Sequence, residues 1–238
     1  GFDALADSVM NANFPAEEWE QERDVILREF AMGKDDPGRV MNKLLWRTAF
    51  RKHPYRMPVI GYEDIFKAIT QDDLVAFFSR HYVSDNMFLV IVGDVDVNAV
   101  KPVVEATFAP FIRRPRAPSL LPAEPQQIAP RIVRETGAYK VSRLSWAHHT
   151  VSLDHPDAAA LDVLANIAGQ GRSSRLVKSL VEDQRLAHQV SVWSYTPGEP
   201  GLFGISATFD PENEAAVLSA IEAEVRALRH EPFTEAEL

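Results

Sequence analysis

Residues 87–92 read Met-Phe-Leu-Val-Ile-Val and stop at Gly93-Asp94. Six apolar residues in a row, half of them β-branched and closed by a turn pair, describe a strand buried on both faces. Such a strand needs neighbours in a sheet and a layer over each side. The periodicity on either side of it is helical, so the chain is expected to mix α and β structure.

Upstream, residues 15–32 read as a helix. Pro15 suits a first-turn position, and Glu17, Glu18 and Glu20 favour the positive end of the helix dipole. Gly33 is the expected stop. A second helix is expected after Asp35-Asp36-Pro37, through Val40, Leu44, Leu45 and Trp46 to about Phe50, followed by a loop from His53 to Pro58. Short helices fit residues 62–68 and 70–82, the latter with Thr70 as N-cap and Asp73 in its first turn. Beyond the apolar run, residues 97–108 form an amphipathic helix. Residues 113–130, with Pro115, Pro118, Pro122, Pro125 and Pro130, read as an extended linker. Strands are expected at 131–135 and 141–153, and a helix at 156–168 ended by Gly169. Another helix is expected from Ser173-Ser174, where the serines read as a cap rather than as nucleophiles. Strands follow at 187–195 and 202–209 across a Pro-Gly turn, then a long helix at 211–230. Residues 234–237 look like the start of one more helix. The fold class expected is α+β, with a mixed, largely antiparallel sheet and helices packed on one side.

Composition narrows the function classes. The chain lacks cysteine, which excludes disulfide scaffolds, thiolate metal sites and cysteine nucleophiles, and suits cytosol and oxidising space alike. A net charge of −9 argues against nucleic acid as a partner, because phosphate binding needs a basic footprint. No apolar run approaches the roughly 18 residues that span a bilayer, so no membrane span is expected.

The chemistry-bearing segment is Glu22-Arg23-Asp24-Val25-Ile26-Leu27-Arg28-Glu29. Placing Trp19 at zero on a helical wheel puts Ile26 and Phe30 within about 20° of it, and Val25 and Met32 near 240° and 220°. Glu22 and Glu29 then fall at about 300° and 280°, between the two apolar groups, which places them inside one apolar stripe. Asp24 and Arg28 lie opposite and suit an i,i+4 pair. A carboxylate on a buried face needs a partner. That partner is a cation from another element or a metal ion, unless the side chains reach out to solvent.

This segment resembles the distal part of the metal site in the pitrilysin, insulinase and mitochondrial-processing-peptidase family of zinc metallopeptidases. Members bind zinc through His-x-x-Glu-His and a distal glutamate within E-R-x-x-x-x-x-E. On that resemblance Glu29 is the distal zinc ligand and Glu22 the supporting carboxylate near the reaction centre. Further stretches resemble the family in order along the chain. They are His53-Pro54-Tyr55 with Pro58-Val59-Ile60-Gly61, then Val90-Ile91-Val92-Gly93-Asp94-Val95-Asp96, then Ser174-Arg175-Leu176 with Leu186-Ala187-His188-Gln189-Val190. The resemblance implies half of a processing-peptidase-type fold, N-terminally incomplete. Residues 1–112 would end one αβ unit and begin the next, 113–130 would link, and 131–238 would complete the second unit up to a final helix.

The chain departs from the pattern in one respect. It contains neither His-x-x-Glu-His nor His-Glu-x-x-His, and His148 and His149, adjacent on an expected strand, point to opposite faces. The resemblance therefore implies histidine ligands and a catalytic glutamate preceding Gly1, and a second family half, fused or as a separate subunit. The expected function is that of a zinc peptidase fragment, inactive alone, or of a non-catalytic subunit of the same family. The implied substrate is a peptide or unfolded protein. Self-association through uncovered strand edges is a further expectation.

Overall fold

A computed structural model describes residues 1–111 and 113–235. It divides into two compact units, residues 1–36 with 58–122, and residues 37–57 with 123–238.

The first unit is helical. It contains α1 (Phe2–Met10), α2 (Ala16–Asp35), α4 (Glu63–Ala68), α5 (Gln71–His81) and α6 (Val97–Phe108). Helix α1 was not foreseen, although Phe2, Leu5, Ala6, Val9 and Met10 carry the i, i+3, i+4, i+7 pattern of a helix face. It packs on α6 and buries Ala6. Helix α2 begins with Pro15 at its N-cap, and its aromatic face closes on α4. The Phe66 ring lies 6.2 Å from that of Trp19 and 5.7 Å from that of Phe30. Helix α2 runs through Gly33 to Asp35, where Lys34 binds the Glu63 carboxylate and the helix–helix contact offsets the cost of a glycine near the end. Helix α5 starts at the expected Thr70 N-cap, and Thr70 and Asp73 together form a capping box. The Thr70 hydroxyl accepts from the Asp73 N–H at 3.2 Å, and the Asp73 carboxylate accepts from the Thr70 N–H at 2.9 Å.

Residues 87–92 differ from expectation. They form no strand ladder, and their side chains are exposed in an alternating pattern. A ladder needs a neighbour, and none of the described residues supplies one.

The second unit contains α3 (Pro37–Ala49), β1 (Ser142–His149), α7 (Ala158–Gly169), β2 (Gln189–Tyr195), β3 (Leu202–Phe209) and α8 (Glu214–His230). The sheet is antiparallel with order β1-β3-β2. Register places Leu144 and Trp146 beside Ala207 and Ile205, and these beside Val190 and Val192. That face forms the core with Ala165 and Ala168 of α7, Leu180, and Val217 and Ile221 of α8. Residues 177–183, expected as an ordinary helix, form a π-helical turn that carries Leu180 into this core. The helices that bury the core lie on one side, and α3 reaches the other face, where the Trp46 ring meets Tyr195 at 5.5 Å. Residues 131–135, expected as a strand, join no strand ladder among the described residues, and Ile132 is almost fully exposed. Of the final helix expected at 234–237, residues 236 and 237 lie outside the described residues.

Candidate metal-binding helix

Helix α2 decides where the candidate carboxylates stand. Its inner face is set by Trp19 and Phe30, three turns apart, with Ile26 and Leu27 partly buried beside them. Arg23 is drawn to the same side, donating to the Lys67 carbonyl at 2.8 Å and lying 3.5 Å from Glu20. The buried arc is therefore centred on Trp19, Phe30 and Arg23. Glu22 and Glu29 are exposed, as are Val25 and Met32, at 46% and 68%. The expectation that the two glutamates lie in a buried stripe is corrected. The wheel holds two apolar groups more than 100° apart, and only one faces inward.

No ion pair or hydrogen bond engages Glu22 or Glu29 among the described residues. Their rise along the helix is about 10 Å, too far for both carboxylates to grip one ion. That spacing suits one ligand and one supporting group. The Asp24–Arg28 ion pair is not formed, and both residues are exposed.

A catalytic zinc takes three protein ligands. No group of three or more His, Asp or Glu side chains converges among the described residues. The histidines serve local structure. His53 is buried and its Nδ1 accepts from the Tyr55 N–H at 3.2 Å. The His81 ring lies tilted against that of Phe77 at 4.4 Å, His155 accepts from the Asp157 N–H, and His188 lies 3.0 Å from Asp210. His148 and His149 occupy successive positions of β1, on opposite faces. Burial, then the charge of Arg229, lowers the pKa of His148, which accepts from the Trp146 indole at 3.0 Å. The described residues do not fit a complete zinc site. Ser174 is buried, and its hydroxyl donates to the Gly171 carbonyl at 2.7 Å, locking a turn rather than capping amides.

A recess of about 250 Å³ lies between α3 and the sheet, lined by Asn42, Leu45, Arg143, Trp193, Ser206 and Thr208. Several of its polar groups are already engaged. The Trp193 indole donates to Ser206 at 2.9 Å, Asn42 accepts from Trp46 at 3.1 Å, and Arg143 reaches Thr208 at 3.5 Å.

Residues 68–238 match the family model described as the peptidase M16 inactive domain. The chain belongs to the M16 peptidase family. It is 31% identical over 247 residues to an uncharacterized zinc protease of Streptomyces coelicolor, covering 99% of this chain and 52% of that protein. It is 28% identical over 243 residues to a zinc protease of Helicobacter pylori, covering 98% of this chain and 54% of that one. Among solved structures, a protease from Helicobacter pylori superposes with a TM-score of 0.88 at 25% identity, over 99% of this chain and 58% of that one. The M16 inactive domain from Pseudomonas fluorescens does so with a TM-score of 0.85 at 22% identity, over 99% and 57%. The chain spans about half the length of the curated relatives it matches.

Proposed function

We propose that this chain is part of a zinc-dependent metallopeptidase that hydrolyses peptide bonds, with Glu29 as one metal ligand and Glu22 as its supporting carboxylate. The observation that carries the reading is the pair of exposed carboxylates on one side of α2, free of cationic partners, on a helix fixed by Trp19, Phe30 and Lys34. An anionic oxygen ligand on a rigid helix suits a zinc site completed by imidazoles from elsewhere in the protein. The names of the relatives support the same chemistry. By itself the chain is inactive, because one carboxylate does not hold zinc. The substrate is a peptide or unfolded protein bound between two related halves, the second fused or separate.

A second reading, a non-catalytic subunit, is favoured by the match to the inactive-domain model. The full-length gene product separates the two. Stoichiometric zinc and peptide hydrolysis, both lost in Glu29→Gln, support the first reading. A product without a His-x-x-Glu-His segment and without zinc establishes the second. Zinc content unchanged by Glu29→Gln sinks the ligand assignment.

A further inference from the structure

The recess between α3 and the sheet is lined by hydrogen-bond donors. Leu144, Val192, Ile205 and Ala207 face the core, so strand alternation turns Arg143, Ser145, Trp193, Ser206 and Thr208 to the other side. Register sets Arg143 beside Thr208 and Ser145 beside Ser206. Trp193 lies over Gly204, where a Cβ would fall 2.3 Å from its Cζ2, and its indole donates to the Ser206 Oγ at 2.9 Å. That bond uses the oxygen and leaves the Ser206 hydroxyl proton to donate elsewhere. Asn42 repeats the pattern, since its Oδ1 accepts from the Trp46 indole at 3.1 Å and its N–H groups have no acceptor among the described residues. Arg143 reaches the Thr208 hydroxyl at 3.5 Å and forms no ion pair among the described residues. In a chain with 34 acidic residues and a net charge of −9, a guanidinium left without a carboxylate marks a place for one from outside.

We propose that this recess binds a peptide carboxylate, from a chain end or an acidic side chain, with Arg143 as its counter-charge and Met41, Leu45 and Trp193 beside its apolar part. Three observations select this ligand. Arg143 is the one charged residue lining the recess among the described residues, which matches a monoanion, whereas a phosphate dianion calls for a second cation. The polar atoms around it, on Ser206, Thr208 and Asn42, have protons to give, and a carboxylate only accepts. The volume of about 250 Å³ lies below the roughly 300–1,000 Å³ of pockets for drug-sized molecules, so it takes one or two residues of a chain. That the carboxylate belongs to a peptide rests on the proposed peptidase function. The binding itself is read without metal, so its failure leaves the zinc reading standing, and the reverse holds too.

NMR titration of this chain, following the Trp193 indole N–H, tests it with three probes. They are N-acetyl-Ala-Leu with a free carboxyl end, the same dipeptide as its amide, and the amide of N-acetyl-Leu-Glu, whose carboxylate is on the side chain alone. The expected result is a saturable shift with a carboxylate probe and none with the uncharged amide, and the tighter of the two carboxylate probes identifies the source. Arg143→Gln should weaken that binding about tenfold or more and leave the melting temperature unchanged, the side chain being exposed. Arg143→Lys, which keeps the charge and loses the planar fork, should weaken it less. Absence of a shift with both carboxylate probes, equal binding of the uncharged amide, or unchanged affinity in Arg143→Gln overturns the proposal. Inorganic phosphate binding as tightly as the peptides also overturns it, by making the recess a general anion site.

Discussion

Glu124 and Arg131 close the end of α3 together, the carboxylate lying 3.9 Å from the guanidinium with both side chains nearly buried. Arg131 Nη1 donates to the Thr48 and Ala49 carbonyls at the end of α3, at 3.0 and 2.7 Å. Glu124 accepts from the next three amides, those of Arg51, Lys52 and His53, at 2.8, 2.8 and 3.0 Å. Groups orphaned by the helix end are thus satisfied from the Pro-rich segment and the residues after it. Glu124→Ala leaves three amides without their acceptor and a shielded guanidinium without its counter-charge, and should cost about 2–4 kcal/mol. Glu124→Gln keeps an oxygen acceptor and should cost less. Urea denaturation of both variants measures the difference.

The same carboxylate gives the second unit a pH dependence. Burial pushes the Glu124 pKa up, but the amides of His53, Lys52 and Arg51, with the Arg131 charge, outweigh it and hold the pKa below the ordinary value. A depressed folded pKa means that the stabilisation is fully present above the unfolded value of about 4.3 and is lost as pH falls through the folded one. Unfolding followed from pH 7 to pH 3 should show a loss of stability below about pH 4.5 that is smaller in Glu124→Gln.

Gly169 ends α7 directly against β2. A Cβ there would overlap both Cγ2 and the backbone nitrogen of Val192. Gly169→Ala should destabilise the second unit by about 1–3 kcal/mol. Adding Val192→Ala should not rescue it, because the backbone clash remains. Thermal melts of the single and double variants decide this.

Thr70→Ala removes one arm of the capping box at α5 and should cost about 1 kcal/mol. The effect should be local, with faster amide exchange in α5 and none in β1, β2 or β3.

This chain purified alone, dialysed and analysed for metal, should hold well under one equivalent of zinc. Tight stoichiometric zinc would overturn the reading that the described residues do not complete a zinc site.

The elements whose signals are local were legible. Helix α6 and strand β3 have the bounds that the sequence indicates, and Thr70 and Asp73 announce the start of α5. What was missed depends on neighbours. The run at 87–92 and the segment at 131–135 have strand composition but no partner among the described residues. The wheel around Glu22 and Glu29 gives angles between side chains, yet it does not say which arc meets Phe66. Trp19 and Phe30 meet it, so Val25, Met32 and both glutamates face outward.

Strand β3 lies in the middle of its sheet and is the last of the three to be synthesised. Neither β1 nor β2 touches the other, so both remain without a ladder until residues 202–209 arrive. During translation the apolar side chains of β1, among them Leu144 and Trp146, wait through the synthesis of α7, the π-helical turn and β2. The second unit therefore closes in one late step, and a ribosome stalled before residue 202 would present an adhesive half-sheet to chaperones.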